Sequence, residues 1–181
     1  RIIKAIEMEE EMGVLYSKAN SMCNLGRGFR LDSDLESAET AYAEAHQILE
    51  EINNKQEALA ESLTGLATID IDRGHLAQVK SKLLSALDIA VNGTQAEEIV
   101  RAFTQFGRLA FAEGDLESAV IFLIQVDIQN RDTYTTWGPE VKEGHDLLGR
   151  IEKEMGVQAF EKVKQQAETM SMEEVVKSAR E

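Results

Sequence analysis

The sequence predicts an all-α protein built as an array of repeated helix pairs, and three observations support that prediction. The chain of 181 residues contains one Pro and is rich in Ala, Leu, Glu, Gln and Met, residues that favour helices. The run Asp-Leu-Glu-Ser-Ala occurs at 34–38 and again at 115–119. After each copy, apolar residues recur at three- and four-residue steps, the period of a helix with one buried face.

Four small residues mark matching positions along the chain: Gly26, Ala67, Gly107 and Gly149. They are about 40 residues apart, a spacing typical of a repeat array. A turn signal follows each of them, at 31–33, 73–74, 113–114 and 155–156. Small residues let two helices approach closely, and Gly at the turn adopts the left-handed conformation that ends a helix. We therefore predict units at 13–53, 54–93, 94–138 and 139–168, preceded at 1–12 by the remnant helix of a truncated repeat and followed at 169–181 by a capping helix.

Capping side chains are predicted at the start of several helices. Asp34 and Asp115 each precede a second helix of a unit, where a carboxylate accepts hydrogen bonds from free backbone amides. Two capping-box patterns, Ser or Thr followed three residues later by Glu, occur at 94–97 and 171–174. The second pattern begins the short last helix, whose apolar residues are expected to cover the final repeat.

The repeated pattern resembles a known family. The third unit has Phe-Gly at 106–107, Gly-Asp-Leu at 114–116 and Ala at 119. This pattern resembles the tetratricopeptide repeat, a pair of antiparallel helices. The long unit, and a tail with Phe160, Ala167 and Met-Ser-Met-Glu-Glu at 170–174, are similar to the C-terminal arrays of large bacterial signal-transduction ATPases and LuxR-type transcriptional regulators. The resemblance implies a right-handed α-solenoid whose first helices line a concave groove.

The resemblance also implies which side chains face that groove. They lie at and near the position after each small residue: Asn20, Asn24, Arg27, Arg30, Thr64, Thr68, Arg101, Thr104, Arg108, Asp146, Arg150 and Lys153. The planar fork of Arg suits carboxylates, so one interpretation is a groove for an acidic peptide or another carboxylate ligand. The alternative is that these arginines pair with Glu or Asp of the neighbouring helix. The loop at 134–138, with Tyr134 and Trp137, is either a partner-binding tip or packs over the connection.

Composition and motifs argue against several functions. The formal net charge of −14 disfavours contact with nucleic acid or an anionic membrane, and no apolar run approaches the roughly 20 residues of a membrane span. The single Cys23 gives no metal or redox spacing, and His46, His75 and His145 stand far apart. No phosphate-binding loop or nucleophile motif occurs. We therefore expect no metal, no cofactor and no catalysis.

The expected function is that of an interaction and sensor module. In this interpretation the chain is part of a larger cytoplasmic regulator and binds a protein, a peptide or a small effector in its groove. The chain begins with Arg1 and not with Met, which favours a piece of a longer protein. The alternative is a free-standing adaptor or co-chaperone-like scaffold that captures acidic peptides. Homo-oligomerisation is left open.

Overall fold

The computed structural model describes residues 2–53, 57–133 and 139–181, and this part of the chain is all-α, as predicted. Its strand-free secondary structure consists of nine α-helices and one short 3₁₀ turn at Leu76–Gln78. The loop at 134–138 lies outside the described residues. The helices are α1 (Ile2–Leu31), α2 (Leu35–Glu51), α3 (Glu57–Arg73), α4 (Val79–Asn92), α5 (Ala96–Glu113), α6 (Leu116–Thr133), α7 (Pro139–Met155), α8 (Val157–Thr169) and α9 (Met172–Arg180).

The first helix runs without interruption through the predicted boundary at residue 12. The sequence predicts a separate remnant helix at 1–12, whereas α1 extends from Ile2 to Leu31. The physical reason is local, because the segment has no Pro and is rich in strong helix formers. Gly13 is the weakest helix former there, and one Gly lowers helix stability by only about 1 kcal/mol. The start of the first predicted unit at residue 13 is therefore not a helix end.

The predicted turns after α1, α3, α5 and α7 share one backbone conformation. Gly74, Gly114 and Gly156 have φ of 76°, 83° and 83°, and Ser33 has φ of 64° at the corresponding place in the first unit. These values lie in the left-handed region that ends a helix, which glycine adopts most readily. The four turns therefore confirm the predicted helix ends, and Ser33 adopts the same conformation without being a glycine.

Three of the four predicted helix caps are present. The carboxylates of Asp34 and Asp115 accept from the backbone N–H groups of Ser37 and Ser118, and the capping box at 171–174 is complete. The capping box predicted at 94–97 is wrong. Thr94 has φ of 54° and its hydroxyl donates to the carbonyl of Gly93, while the helix begins one residue later. The left-handed backbone of Thr94 turns its side chain away from the start of α5, so the hydroxyl does not cap this helix.

The helices pack in a regular order along the chain. Each of α1 to α5 contacts the next helix, and alternate helices also touch, since α1 packs on α3, α3 on α5 and α5 on α7. On the other side α6 packs against α8. Three apolar clusters fill the interior: one around α1 to α3, a second around α3 to α6, and a third around α5 to α8. The helices α1, α3, α5 and α7 thus form one continuous layer.

Small residues permit the close helix approaches predicted at two of the three glycine anchors. A Cβ added at Gly26 would lie 2.8 Å from the ring of Tyr42, and one added at Gly107 would lie 2.6 Å from Cγ of Leu123. The prediction is wrong for Gly149, where a Cβ would meet nothing within 4 Å. The fourth unit is therefore not packed like the first and third at this position.

The last helix packs on the middle of the chain. The sequence predicts that α9 covers the final repeat; α9 contacts α4 of the second unit, and its apolar cluster also includes Val141 of α7. Its buried Val175 and Ala179 belong to the apolar cluster of α4, α5 and α6, and Arg180 pairs with Asp88 of α4 at 2.6 Å. Gln125 of α6 donates to the carbonyl of Ala167 at 2.9 Å, close to the turn that redirects the chain. This redirection carries α9 back along the array.

Within residues 2–53, 57–133 and 139–181, every helix is too short or too polar to cross a bilayer.

Candidate ligand cleft

A cleft of about 710 Å³ lies between the first and last parts of the chain. The end of α1 and the start of α2 contribute Leu31 and Leu35 to its lining, and α7 contributes Lys142, Glu143, Leu147 and Arg150. Asp72 of α3 and Arg108 of α5 also line the cleft. The cleft thus draws on α1, α3, α5 and α7 as well as the start of α2, and its volume is in the range that fits small ligands and short peptide segments.

Four of these side chains form a charge network, which we call the cleft ring: Arg30, Asp72, Arg108 and Glu143. Arg30 contacts Asp72 through Nε at 2.8 Å and Glu143 through Nη2 at 2.9 Å. Arg108 contacts Asp72 through Nη2 at 2.5 Å and Glu143 through Nε at 3.3 Å. Each guanidinium therefore touches both carboxylates, and the ring joins α1, α3, α5 and α7.

Partial burial strengthens the attraction between the paired charges of the cleft ring. The four side chains are between 14% and 29% exposed, so water screens their pairs less than it would on an open surface. Burial opposes the charge on Arg30, but its bonds to Asp72 and Glu143 outweigh burial and raise the pKa of Arg30. Burial likewise disfavours the Asp72 carboxylate, yet hydrogen bonds from Arg30 and Arg108 hold its pKa below the ordinary value. Both shifts favour the charged forms of Arg30 and Asp72 at neutral pH.

The outer rim of the cleft carries more accessible cations. Lys142 pairs with Asp146 at 2.5 Å, but both side chains are more than 60% exposed. Arg150 lies over the ring of Phe111, 4.9 Å from its centroid, and contacts no carboxylate among the residues that the structure describes. An exposed pair of this kind is weak, so Lys142 and Arg150 are the cations most available to a ligand.

A second charge cluster is more deeply buried. Arg101, 9% exposed, contacts Glu98 at 2.7 Å, Glu97 at 2.5 Å and Glu61 at 3.2 Å, and Arg27 also binds Glu61. Glu98 is 1% exposed, and burial, only partly offset by Arg101, raises its pKa to about 8. This cluster borders a pocket of only about 30 Å³, too small for a ligand larger than water. It links α1, α3 and α5.

The twelve predicted groove residues therefore separate into three groups. Arg30, Arg108, Asp146 and Arg150 line the cleft, and Arg27, Thr64, Thr68 and Arg101 line the small pocket. Thr104 is buried and donates to the carbonyl of Val100, while Asn20, Asn24 and Lys153 are exposed and line neither space. Pairing with acids of neighbouring helices, the alternative interpretation, describes Arg27, Arg30, Arg101 and Arg108. It does not describe Arg150.

Sequence reasoning missed Asp72, Glu143 and Lys142. Asp72 stands two residues before the predicted turn at Gly74, so its place at a helix end was available as a signal. Lys142 pairs with Asp146 within one helix turn, but nothing in that local pair indicates that Lys142 lines a cleft. Glu143 pairs with residues that are far away in the chain, Arg30 and Arg108. Arg30 and Glu143 are 113 residues apart, and their contact depends on how the helices between them pack.

No metal centre emerges from the described part of the chain, where no group of three or more His, Cys, Asp or Glu side chains is arranged around a common point. His145 contacts Asp127 at 2.5 Å, a pair and not a ligand set. Comparison of the chain with protein-family models, with curated proteins and with solved structures found no match. The fold and the cleft therefore carry the functional interpretation.

Proposed function

We propose that this chain is a non-catalytic interaction and sensor module of a larger cytoplasmic regulator, built as a tetratricopeptide-like right-handed solenoid. Two structural features support the solenoid: the contacts between alternate helices, and the shared left-handed turn after α1, α3, α5 and α7. In such an array the first helices of the units line one surface, which is the surface used for binding.

One observation carries the proposed binding function. In a chain with 33 acidic and 19 basic residues, the cleft gathers four cations, Arg30, Arg108, Lys142 and Arg150. Only three acids line it, so the cleft has a local charge of opposite sign to the whole chain. A ligand with one or more carboxylates gains charge-assisted hydrogen bonds there, and Leu31, Leu35 and Leu147 offer apolar contact. The protein, peptide or small effector that binds would therefore be acidic.

Binding at this place would also suit a sensor. The cleft lies between the start and the end of the array, so a ligand that contacts both changes the energy of their relative arrangement. A ligand shifts a conformational equilibrium only by its difference in affinity for the two states. A free-standing adaptor for acidic peptides would use the same cleft. The two differ when this segment is deleted, because the deletion abolishes regulation of the parent protein only if the segment is a sensor.

Peptide binding tests the proposal. An acetylated peptide of three Leu-Glu repeats should bind with a Kd on the order of micromolar in about 50 mM NaCl, measured by calorimetry, because low salt leaves the cleft charges unscreened. The matched peptide with Gln for Glu should bind at least about tenfold more weakly. Arg150→Gln should weaken binding of the acidic peptide about threefold or more, because it removes a rim cation.

Arg180→Gln is the control, because it removes an equal charge from α9, outside the cleft. The proposal fails if neither peptide binds, or if the two arginine substitutions weaken binding equally.

A further inference from the structure

The two carboxylates of the cleft ring are not held equally well. Asp72 uses both oxygens, since Oδ2 accepts from Arg30 and Oδ1 accepts from Arg30 at 3.4 Å and from Arg108 at 2.5 Å. Glu143 uses only Oε1, which faces both guanidiniums. Its Oε2 is buried and has no hydrogen-bond partner among the described residues. Glu143 is therefore the more easily displaced of the two acids.

The unpartnered oxygen has an energetic consequence. A buried carboxylate oxygen without a donor has lost water and gained nothing in return. If Glu143 swings away from the ring, Oε2 recovers water while Arg30 and Arg108 lose half of their carboxylate contacts. The closed arrangement is thus favourable for the arginines and unfavourable for Glu143, and a replacement carboxylate would satisfy both sides.

We propose that Glu143 closes the cleft from within, and that a carboxylate on a ligand opens it by replacing Glu143 on Arg30 and Arg108. The inference rests on the proposed binding function and adds to it the chemistry of the ligand and the response of the protein. The ligand carries a carboxylate beside an aliphatic group, because Leu31 and Leu147 lie in the same lining as the two guanidiniums. Lys142 and Arg150 attract it at the rim.

Replacement of Glu143 has a structural result. Arg30–Glu143 is a direct side-chain bond between α1 and α7. Once a ligand occupies Arg30 and Arg108, that bond is lost and α7 is released from α1. Binding and opening are then the same event, which gives a ligand a differential affinity for the open state.

Affinity measurements test the replacement. The Leu-Glu peptide and hexanoate, a small aliphatic carboxylate, are titrated against the full chain and against Glu143→Gln. Because the substitution removes the competing charge, each probe that binds wild type should bind Glu143→Gln about tenfold more tightly. Glu44→Gln, which removes an equal charge from an exposed pair with Lys18 on the outer surface of α1 and α2, should change affinity less than twofold.

The opening is measured independently in a chain that keeps Glu143. Spin labels are placed by Ser21→Cys on α1 and Glu154→Cys on α7, both at exposed positions. Cys23 is fully buried, and burial together with Glu61 raises the pKa of its thiol to about 12, so it does not take up the label. Saturating probe should lengthen the distance between the labels, and Glu143→Gln alone should lengthen it in part.

The outcomes separate the two proposals. If hexanoate binds and lengthens the label distance while the peptide does not, the source of the carboxylate is a small free acid. If the peptide does so while hexanoate does not, the source is an acidic segment of a protein. If the peptide binds wild type, and Glu143→Gln neither tightens binding nor changes the label distance, the replacement mechanism is wrong while the binding function stands. If no probe binds any variant, the binding function itself fails.

Discussion

Glu98 shows how one buried acid makes stability depend on pH. Its carboxylate is enclosed with the guanidinium of Arg101 and faces the acids Glu61, Glu57 and Glu97. Burial is the largest cause that raises its pKa from 4.5 to about 8, and the three acids add to the increase. The folded chain therefore keeps a proton that the unfolded chain has released. The free energy of unfolding falls as the pH rises between these two values.

We predict that Glu98→Gln removes most of this pH dependence. Wild type should lose on the order of 2 kcal/mol of unfolding free energy between about pH 5 and pH 8.5, measured by urea titration. The variant cannot lose a proton and should change by less than about half of that amount. Glu97→Gln is the control, because Glu97 bonds the same Arg101 but is 52% exposed and should keep the wild-type slope. Equal slopes for wild type and Glu98→Gln would contradict the prediction.

Two glycines in equivalent positions should respond oppositely to the same substitution. Gly107→Ala puts a methyl group 2.6 Å from the buried side chain of Leu123, so we expect a loss of about 1–3 kcal/mol of unfolding free energy. At Gly149 the space is open within a helix, so Ala should gain about 0.5–1 kcal/mol through its higher helix propensity. Thermal unfolding of the two variants checks this, and a shared sign would show that the fourth unit packs like the third.

At the scale of single elements, α9 joins parts of the chain that are distant in sequence. The capping box at its start holds Ser171 and Glu174 in mutual hydrogen bonds, and Val175 is fully buried against the cluster of α4, α5 and α6. An isolated helix of nine residues is not stable in water, so tertiary contact keeps it helical. The helix therefore contributes to the stability of the middle of the array as well as its end.

We predict that Val175→Ala lowers the free energy of unfolding by about 2 kcal/mol, because two buried methyl groups are lost and a cavity remains. Val157→Ala in α8 is the matched control. Val157 is 62% exposed, so the same chemical change should cost less than about 0.5 kcal/mol. Deleting residues 169–181 should lower the melting temperature further. An unchanged melting curve after that deletion would mean that α9 is not docked on α4.

At the scale of the whole molecule, apolar clusters and charged bridges hold different parts together. The contacts of α6 with α8 lie within an apolar cluster, whereas the direct bond between α1 and α7 is the ion pair of Arg30 and Glu143. Salt screens partly exposed charges and leaves apolar contacts intact. We therefore expect the distance across the cleft to respond to ionic strength more than the distance between α6 and α8 does.

We predict that raising NaCl from about 50 mM to 1 M broadens the distance distribution between labels at Ser21→Cys and Glu154→Cys, because the Debye length falls to about 3 Å. A control pair, Glu117→Cys on α6 and Gln165→Cys on α8, should keep its distribution. Pulsed electron paramagnetic resonance measures both. A broadening of equal size in the two pairs would indicate general loosening and not opening of the cleft.

Local features were predictable because their causes are local. The helix ends at Gly74, Gly114 and Gly156 and the caps at Asp34 and Asp115 depend on residues only a few positions apart. The cap at Thr94 failed, since a single left-handed residue moved the hydroxyl away. Of the candidate site, Arg30, Arg108, Asp146 and Arg150 were predicted from the resemblance to the tetratricopeptide repeat, and that resemblance did not distinguish paired from accessible arginines.

The sequence by itself determined the all-α class, the succession of paired helices and the turns between them, because periodicity and turn chemistry act within one helix length. Tertiary structure decided what the helices meet. It brought Glu143 to Arg30 across 113 residues, buried Glu98 beside Arg101, and carried α9 back to α4. These contacts join residues that are far apart in the chain, so they depend on the packing of every helix that lies between them.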